Sequence, residues 1–189
     1  MTRKRQSIRG FLFTTLALLA FAFAGPQDFY PSGVGVGWVY SNGEEQFFSR
    51  EQNVYLVLEH RFQGKTVFSD LLRYTPDGVY LDGLVVGSKV SKYNPPLLYY
   101  PKAPFVLGQE WGGKSTYEGK SVALLARVLR IEGVTVPAGR FNAYVIRTSF
   151  VTQEGGSIVV ERYFVPGVGI VRYATPDGGS IDLVKVIRP

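Results

Sequence analysis

The sequence predicts an all-β protein whose strands form a single antiparallel, strongly curved sheet or half-barrel. From Phe29 onward, apolar and aromatic residues alternate with polar residues in short runs, which is the two-residue period of strands with one buried face. Each run ends at Gly, Pro, Asn or Asp, and no run is followed by the crossover helix that a parallel sheet needs. The pattern therefore favours consecutive antiparallel strands.

Individual strands can be assigned from these runs. Residues 53–63 alternate clearly, and Gln63-Gly64 provides a tight hairpin turn into a strand over residues 65–75. Gly155-Gly156 and residues 176–179 are predicted turns near the end of the chain. Further strands are expected at residues 35–40, 46–50, 79–81, 84–90, 141–151, 158–164, 169–174 and 181–187.

Residues 121–131 fit two interpretations. Their Leu and Ala content would suit a helix, whereas the alternation of Ala123, Leu125 and Arg127 suits a strand. Turn-like Glu-Gly pairs at residues 118–119 and 132–133 bound the segment, so a long strand is favoured over a helix.

The first 24 residues are organised as a secretory signal peptide. Four basic residues precede an apolar stretch over residues 11–23, and Ala22-Phe23-Ala24 forms the cleavage site. A retained membrane anchor is the rival interpretation, but the stretch is shorter than the roughly 20 residues that span a bilayer. We expect cleavage after Ala24 and a mature single domain, residues 25–189, that is secreted or periplasmic and has no stable membrane span.

Removal of this segment changes the charge of the protein. The formal charge is +6 for the whole chain, and it falls to +2 because the segment contains four basic residues and no acid. The remaining Lys and Arg are interspersed with Asp and Glu, which argues against nucleic-acid binding. The chain has no cysteine, which excludes thiol nucleophiles and thiolate metal sites. Neither a metal nor a cofactor is expected.

Three motifs resemble those of a loose group of uncharacterised bacterial secreted and periplasmic β-domains. They are Phe29-Tyr30-Pro31 followed by Gly37-Trp38-Val39-Tyr40, residues 133–141 and residues 163–171. The resemblance implies an extracytoplasmic location and a half-barrel related in outline to periplasmic lipoprotein carriers. It implies no catalytic residues, because the motifs are turns and strand starts.

One hexapeptide pattern suggests internal repetition. The sequence at residues 73–78, Arg-Tyr-Thr-Pro-Asp-Gly, recurs with one insertion at residues 172–178. Two half-repeats at about residues 29–92 and 98–187, joined by an extended connection over residues 93–104, would explain this. Alternatively, Pro-Asp-Gly recurs only because it forms a good hairpin turn.

The sequence offers few candidates for catalysis. His60 is the single histidine, no Gly-x-Ser-x-Gly motif accompanies it, and its position in a strand predicts a half-buried structural role. A carboxylate-dependent hydrolase would need acids that converge in a cleft, whereas Glu44-Glu45 is expected in a turn. The other acids considered, all expected to be dispersed, are Asp77, Asp82, Glu110 and Glu118. No catalytic residue is predicted.

The aromatic content is the main pointer to function. Twelve Tyr, two Trp and nine of the 13 Phe lie in the mature chain. If both faces of the sheet are this apolar, a ligand or a partner must cover the second face. Candidate ligand-binding residues are Trp38, Tyr99, Tyr100 and Trp111, although both Trp side chains also suit core anchors. The leading hypothesis is a non-enzymatic domain that binds a lipid, another apolar ligand or an envelope component. The alternatives are a structural or protein-interaction module of the cell envelope and a hydrolase.

Overall fold

The structure is a computed structural model, and it describes residues 29–189. The predicted signal peptide lies outside the described residues. Twelve antiparallel strands follow one another along the described chain. They are β1 (Gly37–Tyr40), β2 (Glu44–Gln52), β3 (Tyr55–Phe62), β4 (Lys65–Thr75), β5 (Gly78–Val86), β6 (Lys89–Pro101), β7 (Glu110–Tyr117), β8 (Lys120–Val136), β9 (Gly139–Thr152), β10 (Ser157–Val165), β11 (Gly169–Ala174) and β12 (Ser180–Ile187).

The strands form a closed barrel, whereas the sequence predicted an open curved sheet or half-barrel. Each strand pairs with its neighbours in the chain, and β1 also pairs with β12, with Gly37 opposite Ile187 and Trp38 opposite Val186. Closure leaves neither terminal strand with an unpaired edge. The sequence could not show this pairing, because contacts between residues so far apart have no local pattern.

Two elements differ from the predicted assignment around the middle of the chain. Residues 93–104 were expected to be a connection, but most of them belong to β6. Pro95 and Pro96 fit there because β6 pairs with β5 up to Lys92 and again from Leu97, so the prolines occupy an interruption in the ladder. Strand β7 was not predicted, because Gly112, Gly113 and its polar residues hide the alternation.

Other boundaries can be compared directly. Residues 84–90 do not form one strand, since a turn at Gly87 separates β5 from β6, and Glu44-Glu45 opens β2 rather than lying in a turn. The strand interpretation of residues 121–131 is confirmed by β8. The two Pro-Asp-Gly motifs form the β4–β5 and β11–β12 turns, at opposite ends of the barrel. Internal duplication stays a prediction.

One end of the barrel is filled by an aromatic plug, which consists of Phe29, Tyr30, Tyr100, Phe105 and Phe164. The rings of Phe29 and Phe105 are 5.2 Å apart, as are those of Phe105 and Phe164, and Tyr30 stacks on Tyr100 at 5.4 Å. The segment before β1 is held over this end because the Tyr30 hydroxyl donates to the Pro101 carbonyl. The plug packs one end, and the large cavity opens at the opposite, open end, where the β1–β2, β3–β4, β9–β10 and β11–β12 turns lie.

We predict that two adjacent glycines of β7 differ sharply in their tolerance of alanine. Gly112 has φ +143°, and a Cβ there would lie 2.0 Å from the Leu124 carbonyl oxygen on β8, whereas a Cβ on Gly113 would meet nothing within 4 Å. Gly112→Ala should lower the free energy of unfolding by about 3 kcal/mol through strain and clash. The matched control, Gly113→Ala, should stay within about 0.5 kcal/mol of the parent protein. Urea denaturation measures both, and equal effects would contradict the described β7–β8 packing.

Candidate functional site

A cavity of about 880 Å³ occupies the open half of the barrel. This volume lies within the range of about 300–1,000 Å³ that is usual for small-molecule sites. Inward-facing side chains from strands on both sides of the barrel line it, including Phe68, Leu81, Leu97, Leu124, Phe150 and Val160. Most of the wall is therefore apolar, and a ligand inside would be removed from water over much of its surface.

The mouth of the cavity carries exposed apolar side chains. Phe62, Val67 and Ile158 all line the cavity, yet they are 46%, 56% and 68% exposed. Phe62 and Val67 flank the β3–β4 turn, and Ile158 begins the inward face of β10. The three residues form an apolar rim around the mouth of the cavity.

One wall of the cavity is polar. His60 on β3 bridges two carboxylates, with Nδ1 2.9 Å from Glu44 Oε1 and Nε2 3.0 Å from Asp70 Oδ2. The imidazole also stacks on Phe68, with ring centroids 4.1 Å apart. Gln46 extends this wall, because its amide nitrogen donates to Glu44 at 3.1 Å and to the Tyr173 hydroxyl at 3.2 Å. The groups are interlocked by their own hydrogen bonds.

The charges of this wall follow from its hydrogen bonds. Burial alone would lower the pKa of His60, but the bonds to Asp70 and Glu44 outweigh burial and raise its pKa from 6.5 to about 9. The bond to His60 in turn lowers the pKa of Glu44, although burial opposes this. At neutral pH the wall is an imidazolium held between two carboxylates.

This geometry does not support histidine catalysis. Both ring nitrogens of His60 are engaged by carboxylates, so neither is free to take a proton from a substrate or a nucleophile. Among residues 29–189, no three metal-ligating side chains are grouped closely enough to hold a metal ion.

The four acids that the sequence offered for a hydrolase do not converge. Asp77 lies in the exposed β4–β5 turn, and Asp82 is buried beside Arg73 at 3.1 Å. Glu110 is 3.4 Å from Arg127, and Glu118 is 2.6 Å from Lys89. Each acid therefore has a separate structural setting, and the hydrolase alternative loses the cleft that it required.

The floor of the cavity is formed by Arg162 and Tyr99, which meet across the barrel. Arg162 lies on β10 and Tyr99 on β6, and these strands are not neighbours in the sheet. The Arg162 Cζ lies 4.8 Å from the centroid of the Tyr99 ring, which is a cation–π contact. Arg162 Nε and Nη1 are shielded from solvent and have no hydrogen-bond partner. The floor thus contains a partly accessible cation, two of whose donor atoms are buried without a hydrogen-bond partner.

A smaller cavity of about 60 Å³ lies between this floor and the aromatic plug. Tyr99 and Tyr173 line both cavities, and Tyr100 lines the smaller one. Burial raises the pKa of Tyr173 to about 12 and also raises the pKa of Tyr99 and Tyr100. All three phenols are therefore neutral and keep a hydroxyl proton to donate.

The four candidate ligand-binding residues occupy different places. Tyr99 lines the large cavity, whereas Tyr100 and Trp38 line only the small one. Trp38 is buried and its Nε1 donates to the Val168 carbonyl at 2.6 Å. Trp111 is also buried, stacks on Phe105 beside the plug and donates to the Tyr99 carbonyl at 3.0 Å.

The sequence analysis did not identify Arg162. A signal was present, because Ile158, Val160, Arg162 and Phe164 alternate along β10 and share its inward face. An arginine in register with three apolar residues is unusual and marks a charge directed into the core. Glu44, Gln46 and Asp70 were missed as well, because nothing local shows that three strands bring them together around His60.

Comparison with known proteins gives only distant similarities. No family model and no curated protein matches the sequence. A predicted lipoprotein from Parabacteroides distasonis has a TM-score of 0.40 and 13% identity, covering 84% of this chain and 97% of that chain. A predicted exported protein with a YmcC-like fold from Bacteroides fragilis has a TM-score of 0.46 and 14% identity, covering 85% of this chain and 99% of that chain. In addition, none of the helical structure in residues 29–189 is long and apolar enough to cross a membrane.

We predict that His60 gives the protein a pH-dependent stability above neutrality. Because folding raises its pKa from 6.5 to about 9, its contribution is complete below pH 6.5 and is lost as the pH rises through 9. The loss should be on the order of 3 kcal/mol. Urea denaturation at several pH values between 6 and 9.5 measures it, and few other groups titrate there because the chain has one His and no Cys.

The variant His60→Gln provides the control for this prediction. It should unfold with a free energy that is nearly constant over the same pH range, because no imidazolium remains between Glu44 and Asp70. A parent protein whose stability does not fall between pH 6.5 and 9 would show that His60 is not held as an imidazolium.

Proposed function

We propose that this protein binds a lipid or another apolar small molecule inside its barrel, and that it does so without catalysing a reaction. The observation that carries the proposal is the cavity of about 880 Å³ between the open end and the Arg162–Tyr99 floor. A buried apolar wall of this size gains stability when a hydrocarbon replaces the water in it, at about 25 cal/mol per Å² of apolar surface.

The architecture supports binding within one preformed site. The plug is packed from rings 5.2–5.4 Å apart at the opposite end, so the direct route for a ligand is through the open end. The barrel wall is a closed sheet, although β6 pairs with β7 only at Tyr93 and Asn94 and its ladder to β5 is interrupted between Lys92 and Leu97. Because the walls are already fixed, few side chains or loops lose conformational freedom when a ligand binds, and this favours affinity.

The apolar rim supports exchange of the ligand with a hydrophobic donor. Phe62, Val67 and Ile158 remain largely exposed, which is unfavourable for a soluble surface unless they contact something. Their position at the mouth would let an acyl chain pass from a membrane or a carrier into the barrel with less exposure to water. This is consistent with an extracytoplasmic site of action, which we infer from the basic, apolar and small-residue pattern of residues 1–24.

We predict that filling the cavity abolishes binding of a neutral apolar probe. Leu124 and Val160 both line the cavity, and their neighbours Leu125 and Val159 lie on the outer face of the same strands, both opposite Ser149. The parent protein should bind N-phenyl-1-naphthylamine with an increase in probe fluorescence. In the double variant Leu124→Trp/Val160→Trp, two indoles occupy the space. The affinity for the probe should therefore fall at least about tenfold.

The matched control is Leu125→Trp/Val159→Trp, which adds the same bulk to the outer face and should leave probe affinity unchanged. Circular dichroism and thermal unfolding verify that both double variants remain folded. Equal probe affinity in the two variants would place the probe outside the barrel and overturn the proposal, as would the absence of binding to the parent protein.

A further inference from the structure

Arg162 has no acidic partner in the described part of the chain. Among residues 29–189, no carboxylate oxygen lies within 4 Å of its guanidinium. The adjacent Glu161 faces the outside of the barrel, where it is 2.6 Å from Arg147 and 3.3 Å from Arg130. Successive side chains of a strand point to opposite faces of the sheet, so Glu161 lies outside the barrel while Arg162 lies inside it.

The interior acids are already occupied. Glu44 and Asp70 each bind one ring nitrogen of His60, so their charges are directed at the imidazolium. Arg162 instead has the face of Tyr99, and it lies close to the phenols of Tyr100 and Tyr173. These groups stabilise the cation, but Nε and Nη1 remain without a hydrogen-bond partner among the described residues.

A guanidinium without an anionic partner is chemically suited to bind an oxyanion. It stays protonated at all relevant pH values and presents donors in a planar fork that matches a carboxylate or a phosphate. Part of the Arg162 side chain remains accessible and lines the large cavity, so a head group that reaches the floor would meet it. The neutral phenol of Tyr99 beside it is a hydroxyl donor for the same anion.

The charge of the cavity favours a carboxylate over a phosphate. Within the described cavity lining, Arg162 is the cation without a carboxylate partner, because His60 lies between Glu44 and Asp70 and Arg61 is 2.6 Å from Glu59. A phosphate monoester bears between one and two negative charges at neutral pH, which exceeds the charge of one unpaired cation. One cation at the floor matches one carboxylate.

We propose that the ligand is a single-chain amphiphile with a carboxylate head, which binds with this head on Arg162 and its apolar chain directed toward the open end. The inference rests on the proposed function, because it requires that the barrel cavity is a ligand site. It adds the chemical class and the orientation of the ligand. The head group meets the part of Arg162 that lines the large cavity and supplies the anion that this cation lacks, and the chain covers the apolar walls up to the rim.

The test compares matched ligands in displacing N-phenyl-1-naphthylamine from the protein at pH 8. Dodecanoate, 1-dodecanol and dodecyl phosphate share one chain length and differ in the head group. Dodecanoate should bind about tenfold more tightly than dodecanol, because a buried ionic hydrogen bond contributes at least that factor. It should also bind more tightly than dodecyl phosphate.

Variants assign the preference to Arg162. Arg162→Gln should bind dodecanoate no more tightly than dodecanol and so lose the preference for the carboxylate. Arg162→Lys should retain part of the preference, because the charge remains while the planar fork is lost. Arg147→Gln, on the outer face of β9, is the control and should leave all affinities unchanged.

A second measurement does not depend on how the variants fold. In the parent protein, the carbon-13 signal of [1-¹³C]dodecanoate reports ionisation of the bound head group. Contact with Arg162 should lower the pKa of the bound carboxyl below that of the free monomer in the same buffer. An unchanged or raised pKa of the bound carboxyl would overturn the orientation.

The outcomes separate this inference from the proposed function. If the neutral probe and both dodecanoate and dodecanol bind equally well, the barrel binds apolar ligands but the carboxylate assignment is wrong. Tighter binding of dodecyl phosphate, or a carboxylate preference that survives in Arg162→Gln, would also overturn it. If no ligand binds the parent protein, the proposed function fails and this inference fails with it.

Discussion

Pairing between the first and last strands is the constraint on which the rest of the structure depends. Gly37 and Trp38 on β1 lie opposite Ile187 and Val186 on β12, and this pairing turns a sheet with two edges into a barrel with an enclosed interior. Without closure, the inward-facing apolar residues would need a second sheet or a partner to cover them. With closure they face one another, and the plug fills one half while the other half stays a cavity. The site is thus a direct consequence of the topology.

The interior contains charged side chains in two different environments. On one wall, His60 is held between Glu44 and Asp70, so each charge has an opposite charge within hydrogen-bond distance. At the floor, Arg162 has an aromatic face and no anion. Buried charges are unfavourable unless they are paired, so the first arrangement is stable by itself and the second is incomplete. This contrast separates a charge cluster that is paired within the protein from a cation for which we propose an anionic ligand.

Much of the secondary structure was predictable from local patterns. The alternation and turn residues identified β4 at its observed bounds, and β8 was identified as a strand against its helix-like composition. Strand β7 and most of β6 were not predicted, because glycines and prolines in a closed barrel can occupy strand positions where they interrupt alternation or the ladder. For the site, the aromatic excess predicted an apolar binding surface, but only Tyr99 among the four candidate residues lines the large cavity.

The sequence by itself determined the strand class, most turns, the absence of thiol chemistry and the small net charge of the chain after its first 24 residues. These properties depend on composition or on residues close together in the chain. The tertiary structure alone decided that the barrel closes, that a cavity remains, and that Glu44, His60 and Asp70 meet while Arg162 crosses to Tyr99. Each of these depends on contacts between distant strands. The period of a strand shows which residues share a face, but the registers and the number of strands in the closed sheet decide what that face meets.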